Sequence, residues 1–378
     1  MKVLQVLGGG TWGGGSVVVM AYISAMIRRG DEVWVLCLDD DVERRFAEAG
    51  CKTVRSRFWF HPINPFDVVP FIELWRLCRR EKFDLVATHT SKGGFLGRLA
   101  AKAAGAPHIV HHAHGFAFRE TQKRWIQRCY ITLERLASRA CDLIISVSED
   151  HRQGGLRERV APPEKIVTVL NGIDVDSFRS QPKPRGRDLV IGIASRLAPK
   201  KGIGDLIEAF PAIHAAHPNA RLMLVGDGPS RVDLEAQARR TGLAHRIEFT
   251  GFREDVPEIL ASFDIVIQPS ISEGLSISVL EAMAAAKPLV ACDIQGNREI
   301  ITDFQNGLLV PPSDPPRLAK AIAWLLDHPS PAQALAARAR ADCQARFSRD
   351  RMVKQILESY DGVVRPASQG ATECFQTS

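Results

Sequence analysis

Two glutamates, Glu273 and Glu281, stand eight positions apart in the run Glu273-Gly274-Leu275-Ser276-Ile277-Ser278-Val279-Leu280-Glu281. Eight positions is slightly over two helical turns, so a segment that turns helical after Gly274 aims both carboxylates at one pocket. Gly274 frees the backbone where such a helix would begin, and the N–H groups of Leu275, Ser276, Ile277 and Ser278 then offer an anion site. Carboxylates grip hydroxyls and a helix start grips phosphate, which is the chemistry needed to hold a nucleotide sugar. The same residues also fit a surface helix with two solvated glutamates.

The segment upstream bears on that choice. Ser195-Arg196-Leu197-Ala198-Pro199-Lys200-Lys201-Gly202 follows directly on an apolar run, Leu189–Ala194. A buried strand that ends in a basic loop and then a helix is a phosphate site in open α/β sheets. Arg196 supplies a planar fork of donors and Lys201 a compact point charge, a pair suited to a diphosphate.

Taken together, these two motifs resemble the retaining glycosyltransferases of family 4, which have the GT-B fold and carry a Gly-Arg-Leu…Lys-Gly loop and a Glu-x7-Glu motif. Ser195 replaces the usual glycine, and the resemblance runs to about Val364. It implies that Arg196, Lys201 and the helix start hold the diphosphate of a nucleoside diphosphate sugar, with UDP favoured. Glu281 would bind the ribose and Glu273 the sugar ring. It also implies front-face attack with the leaving phosphate helping to deprotonate the acceptor, no metal and no cofactor. The run Asp39-Asp40-Asp41 is then a solvated strand end and not a metal motif.

Three further segments take roles from the same resemblance. In His111-His112-Ala113-His114-Gly115, alternation along a strand puts His111 on the face opposite His112 and His114. A metal site would need more ligands than these, and a purely structural cap is a second option. The resemblance assigns His114 to the donor sugar. The loop Gly8 to Ser16 fits a dinucleotide fingerprint through Gly8, Gly10 and Gly13, yet its glycines continue to Gly15. The resemblance places Gly13, Gly14 and Gly15 against the donor phosphate and the acceptor instead. Thr250-Gly251-Phe252-Arg253 occupies the nucleobase position, with Phe252 as the stacked side chain.

The loop His89 to Arg98 looks like that of family members that build bacterial surface polysaccharides on lipid carriers. Lys92 and Arg98 would meet the pyrophosphate of a polyprenyl-linked saccharide acceptor, or else are solvated bases beside a helix cap. Gly226-Asp227-Gly228-Pro229 reads as a tight turn with Pro229 at the first helical position. Asn171-Gly172 reads as a turn, and 293–299 as structural.

These residues need elements to position them. Strand-like runs alternate with helical segments throughout, which implies an α/β protein of two doubly wound, Rossmann-like domains facing a cleft. The expected domains are 1–180 on the acceptor side and 188–350 on the nucleotide side, split by the polar, proline-bearing stretch 181–188. A helix at 351–365 would cross back to the first domain, and the tail 366–378 is polar.

Composition sets further bounds. The 378 residues suffice for two cores. No run of eighteen apolar residues occurs. The N-terminus reads as a strand and not as a leader, and eight cysteines without paired spacing read as reduced thiols of a cytoplasmic protein. Residues 1–180 carry 26 Lys and Arg against 20 Asp and Glu, whereas the remainder holds 23 of each. That basic half, with Arg57-Phe58-Trp59-Phe60 and Lys123-Arg124-Trp125, fits either a peripheral contact with an anionic membrane or an ordinary surface bias. Nothing points to nucleic acid. A sugar-nucleotide 2-epimerase, a nicotinamide-dependent dehydrogenase built on the Gly8 loop, and a non-catalytic nucleotide-binding module are the alternatives.

Overall fold

The computed structural model describes residues 1–7, 12–55, 67–116, 118, 123–178 and 188–365. Gly8 and Gly10 of the fingerprint, Arg57–Phe60, the polar stretch at 181–187 and the tail lie outside them.

The first sheet holds β1 (Lys2–Val6), β2 (Glu32–Cys37), β3 (Lys52–Arg55), β4 (Leu85–His89), β5 (His108–Ala113), β6 (Leu143–Ser146) and β7 (Ile166–Thr168). All pair in parallel, in the order β3-β2-β1-β4-β5-β6-β7. The second sheet holds β8 (Leu189–Ala194), β9 (Ala220–Val225), β10 (Ile247–Gly251), β11 (Ile265–Gln268), β12 (Leu289–Cys292) and β13 (Leu308–Val310), in the parallel order β10-β9-β8-β11-β12-β13. The strand order reverses at β1 in one sheet and at β8 in the other. Ligands of open α/β sheets collect at that point, beyond the strand C-termini. The glycine loop leaves the end of β1 and the Arg196 loop leaves the end of β8.

Helices cover both faces. Those that bear on function are α1 (Gly14–Arg28), α2 (Asp40–Glu48), α3 (Val68–Glu81), α4 (Ser91–Ala104), α5 (Arg124–Ser138) and α6 (Glu149–Arg157) in the first half. In the second half come α7 (Ile203–Ala216), α8 (Arg231–Arg240), α9 (Val256–Ser262), α10 (Ile277–Ala284), α11 (Gln295–Arg298), α12 (Pro315–Asp327), α13 (Pro329–Arg346) and α14 (Arg349–Val364). Asp39 accepts from the N–H groups of Asp41 and Val42 and so caps α2; it is a helix start and not a loose strand end.

The last helix, α14, packs on the first sheet's layer. Met352, Ile356 and Tyr360 are buried there among Val18, Tyr22, Met26 and Val110. Each such side chain contributes about 1.5–3 kcal/mol when withdrawn from water, enough to hold the crossing in place. Gly172 allows the chain to make that return. A Cβ there would lie 2.3 Å from the Ser348 carbonyl oxygen, and Ile173 bridges to Ser348. Close backbone approach, not turn geometry, explains the glycine.

Strands β3, β7 and β13 went unread in the sequence. They have three or four residues each, and β3 keeps no residue fully buried, so no apolar run marks it.

Candidate active site

Arg196 owes its position to glycines in the loop that follows the neighbouring strand β9. Its loop is tied down by hydrogen bonds from Ser195 N–H to Val225 O (2.9 Å), Leu197 N–H to Asp227 O (2.9 Å) and Ser230 N–H to Leu197 O (3.0 Å). A Cβ at Gly226 would sit 2.0 Å from the Ser195 oxygen, and one at Gly228 2.3 Å from the Leu197 oxygen. These glycines serve close approach; α8 starts two residues after Pro229, which is therefore not at the first helical position. The Arg196 side chain is exposed and makes no ion pair or hydrogen bond with the described residues.

Past a short 3-10 turn, Pro199–Lys201, Gly202 adopts φ +63°, and a Cβ on it would meet the Pro269 oxygen at 2.0 Å. The loop after β11 is thereby drawn against the Lys201 turn, and Ile271 N–H donates to Lys200 O at 2.9 Å. Lys201 Nζ consequently donates to Glu273 Oε1 at 2.5 Å. Burial pushes the Glu281 carboxyl up to about 7, and the nearby Lys201 ammonium pulls the other way. One lysine thus acts on both carboxylates, by a hydrogen bond to Glu273 and by its charge on Glu281.

The geometry differs from two turns of one helix. The helix α10 begins at Ile277, so Glu273 lies in the preceding loop and only Glu281 is helical. Lys201, not helical spacing, brings the pair together. The side chains of Leu275 and Ser276 face inward: Leu275 joins the core, and Ser276 Oγ accepts from Gln268 Nε2 at 3.4 Å. What this segment offers a ligand is its backbone. No side chain caps α10, which leaves its first-turn N–H groups for an anion.

The two halves meet at this helix start. A Cβ on Gly14 would lie 3.1 Å from Ile277 Cβ, so α1 and α10 approach end to end, with Gly13 as the extended cap of α1. Among the described residues nothing lies within 4 Å of a Cβ on Gly15. A Cβ on Gly274 would be 2.3 Å from the His114 carbonyl oxygen. His114, Glu273, Glu281, Lys201, Gly14 and the start of α10 therefore form one group across the cleft. Phe252 stands apart at the end of β10, with 55% of its surface exposed, and touches none of them.

Half-buried His114 ends a polar stack whose other members, His89 and His112, are buried. His112 and His114 share a face with His89, and His111 turns the other way toward Thr88 Oγ1 at 3.1 Å, as alternation predicts. The rings lie face to face, His89 on His112 at 4.7 Å and His89 on His114 at 5.4 Å between centroids. Burial holds them uncharged, pulling His112 down to about 3, His114 to about 4 and His89 well below the usual range.

Residues 174–342 match the family Glycosyl transferases group 1, and residues 12–177 match Glycosyltransferase Family 4. The chain is 30% identical over 303 residues to an Escherichia coli UDP-Gal:alpha-D-GlcNAc-diphosphoundecaprenol alpha-1,3-galactosyltransferase, covering 77% of this chain and 76% of that one. It is 27% identical over 372 residues to a Campylobacter jejuni N,N'-diacetylbacillosaminyl-diphospho-undecaprenol alpha-1,3-N-acetylgalactosaminyltransferase, covering 92% and 95%. Anabaena HepE in complex with UDP-glucose has the same fold, with a TM-score of 0.83 at 24% identity over 96% of this chain and 100% of that one. This chain belongs to the group 1 glycosyltransferases. Its two parallel-sheet domains are the GT-B fold.

Within this glycosyltransferase two basic residues depart from expectation. Arg98 is fully buried, bound to Gly94 O at 2.8 Å and to Glu134 at 2.8 Å, so it ties α4 to α5 and cannot reach an acceptor. Lys92 is paired with Asp67 at 2.6 Å. Its charge is already engaged.

Four residues of the His114 neighbourhood went unassigned in the sequence: Gln5, Tyr22, His89 and Tyr360. His89 Nδ1 lies 3.1 Å from His114 Nε2 and His89 Nε2 lies 2.9 Å from Gln5 Oε1. Tyr360 Oη lies 2.6 Å from His112 Nε2. Parallel register pairs His89 with His112, so comparing the ends of adjacent strands is the signal that finds His89.

Proposed function

We propose that this glycosyltransferase moves a sugar from a nucleoside diphosphate sugar, UDP-linked, to a saccharide on a polyprenyl diphosphate, with retention of configuration. The observation that carries the reading is the cation pair. Arg196 pairs with none of the described residues, Lys201 is bonded to Glu273 with its charge acting on Glu281, and the start of α10 is uncapped. Negative charge grows on the leaving phosphate as the glycosidic bond breaks, and fixed positive groups stabilise that state more than the ground state. Glu281 takes ribose hydroxyls, Glu273 and His114 take sugar hydroxyls, Gly13–Gly15 and the α10 start line the phosphate, and Phe252 stacks on the base. Because the fixed cations supply the charge, no metal or other cofactor takes part. A chelator then leaves the rate unchanged; loss of transfer restored by added magnesium would refute this.

The lipid-linked acceptor and the UDP donor draw support from the names of the relatives and of the HepE complex. A membrane-carried acceptor also fits α5. Its exposed side bears Arg124, Trp125, Arg128, Arg135 and Leu136, and the single carboxylate of the helix, Glu134, is buried against Arg98. The basic surface continues into a cleft lined by Arg135, Arg139, Arg159 and Lys165. We read it as the face that lies on anionic lipid at the inner side of the cytoplasmic membrane.

Thermal stability against UDP, GDP, ADP, NAD and common sugar conjugates, without metal, tests the donor. A ligand at a hundredfold its Kd adds about 2.7 kcal/mol. A shift with UDP alone fits the reading, a shift with GDP alone changes the base, and a shift with NAD alone overturns it. Conversion of the donor into a new sugar nucleotide without an acceptor would signal an epimerase.

A further inference from the structure

We propose that His89 is a positioning residue: it holds His114 in the tautomer with the proton on Nε2, so that the Nδ1 lone pair is the acceptor offered to a hydroxyl of the donor sugar. The inference rests on the reading of His114 as a residue that touches that sugar. It follows from a count of donors. The Gln5 amide oxygen can only accept, and it lies 2.9 Å from His89 Nε2, so that nitrogen carries the proton, with the Tyr22 hydroxyl oxygen at 3.4 Å as a second acceptor. A neutral imidazole has one N–H, which makes His89 Nδ1 an acceptor. The nitrogen facing it at 3.1 Å, His114 Nε2, must then donate. His114 Nδ1 has no hydrogen-bond partner among the described residues, and the residue is only half-buried.

The direction of this chain depends on which way the Gln5 amide faces. Turned over, its NH2 would point at His89 and every donor along the line would reverse. Met26 Sδ, which can only accept, favours the NH2 on its side, and the proposal takes that orientation. Gln5 Nε2 faces Tyr360 Oη at 3.4 Å and Met26 Sδ at 4.0 Å. Tyr360 Oη lies 2.6 Å from His112 Nε2; donating there, as the proposal requires, it leaves its oxygen to accept from Gln5. Tyr360 lies on α14, so the returning helix reaches the sugar site through two side chains, Gln5 and His89. An acceptor at His114 requires that the donor sugar present an O–H or N–H at that point. A deoxy or O-methyl analogue at that position would be rejected.

The test is a histidine-selective 15N–1H spectrum of the whole protein at neutral pH, which separates protonated from bare ring nitrogens. The His114 signal is identified by its loss in His114→Gln. Protonated Nε2 with bare Nδ1 is expected, and protonated Nδ1 overturns the proposal without reference to activity. Tyr360→Phe removes the hydroxyl and keeps the ring, so a second His114 population with the opposite tautomer should appear. His89→Leu should lower kcat/KM for the sugar donor about tenfold, the scale of one hydrogen bond, and leave the Kd for UDP unchanged. His89→Asn, whose amide oxygen can accept in place of Nδ1, should recover most of that loss. Equal losses in both variants would mean that His89 merely packs, which refutes its positioning role. Should His114→Gln transfer sugar at the wild-type rate, the assignment of His114 to the sugar fails, whereas the tautomer still stands or falls on the spectrum.

Discussion

Arg196 and Lys201 illustrate two ways to keep a cation ready. Arg196 is exposed and pairs with none of the described residues, so replacing it removes no described contact from the fold. Arg196→Ala should slow transfer by about 10²-fold with the melting temperature unchanged, as the loss of a transition-state donor does. A wild-type rate would remove Arg196 from the phosphate site. Glu281 gives a second test, through pH. Its carboxyl is raised from 4.5 to about 7 by burial. Below the unfolded value both states hold the proton, and the contribution to stability is fully present. As pH rises the unfolded chain ionises first, so stability drains away at about 1.4 kcal/mol per pH unit until the folded value is passed. Glu281→Gln lacks this slope, so without ligand it should match the wild type near pH 4.5 and exceed its stability at pH 8. Parallel denaturation curves across that range would show that Glu281 is not raised. Arg196, Lys201, Glu273 and Glu281 were legible as candidates in the sequence because each motif is local. The His114 relay was not, since Gln5 meets its partners across 84 and 355 positions of chain. Arg98 misled for a related reason: a basic residue on a loop near the cleft reads as solvated until Glu134 is brought to it by α5.

At the scale of elements, the alternating layers could be read from apolar runs, whereas the starts of α8 and α10 lie two residues beyond where Pro229 and Leu275 put them. The glycines at 226, 228, 172 and 274 look like turn residues, yet in each case a neighbouring backbone occupies the place of the missing side chain. Sequence cannot show this, because the obstructing chain comes from another element. Two substitutions separate the cases. Gly274→Ala drives a methyl into the His114 carbonyl and must push the Glu273 loop off the end of β5, which should cost transfer about 10²-fold, the effect of a misplacement near 1 Å. Gly15→Ala meets none of the described residues and sits inside α1, where alanine is the better helix former. Its stability should hold or rise while transfer falls, because the space beside it is taken by ligand. Normal transfer by Gly15→Ala would take Gly15 out of the site.

In the whole molecule the two halves are clasped at several points around the cleft. Glu299, from the second half, accepts from the Glu149 and Asp150 N–H groups at 2.8 and 3.3 Å and so caps α6 of the first. Arg45 pairs with Glu254, and α14 is bound into the first core. The clasp fixes which way the cationic side of α5 faces relative to the site, and the formal excess of +6 resides wholly in residues 1–180. Among the described residues no helix is long and apolar enough to cross a membrane, so any attachment by them runs through a surface. Trp125, 70% exposed, and Leu136, 47% exposed, would enter the interface while Arg124 and Arg128 meet lipid phosphates. Each basic residue near an anionic surface is worth about 1 kcal/mol and is screened within roughly 10 Å at 0.1 M salt. Vesicles rich in anionic lipid should therefore bind the protein at low salt and release it as salt rises. Reversing both charges, in Arg124→Glu with Arg128→Glu, should weaken binding at least about thirtyfold, on the same scale of 1 kcal/mol per charge. Transfer to a water-soluble acceptor should stay normal in that variant, since neither side chain belongs to the cleft, whereas transfer to acceptor embedded in vesicles should fall. Undiminished vesicle binding by the double variant would move the contact away from α5, and absence of wild-type binding at low salt would end the membrane reading altogether.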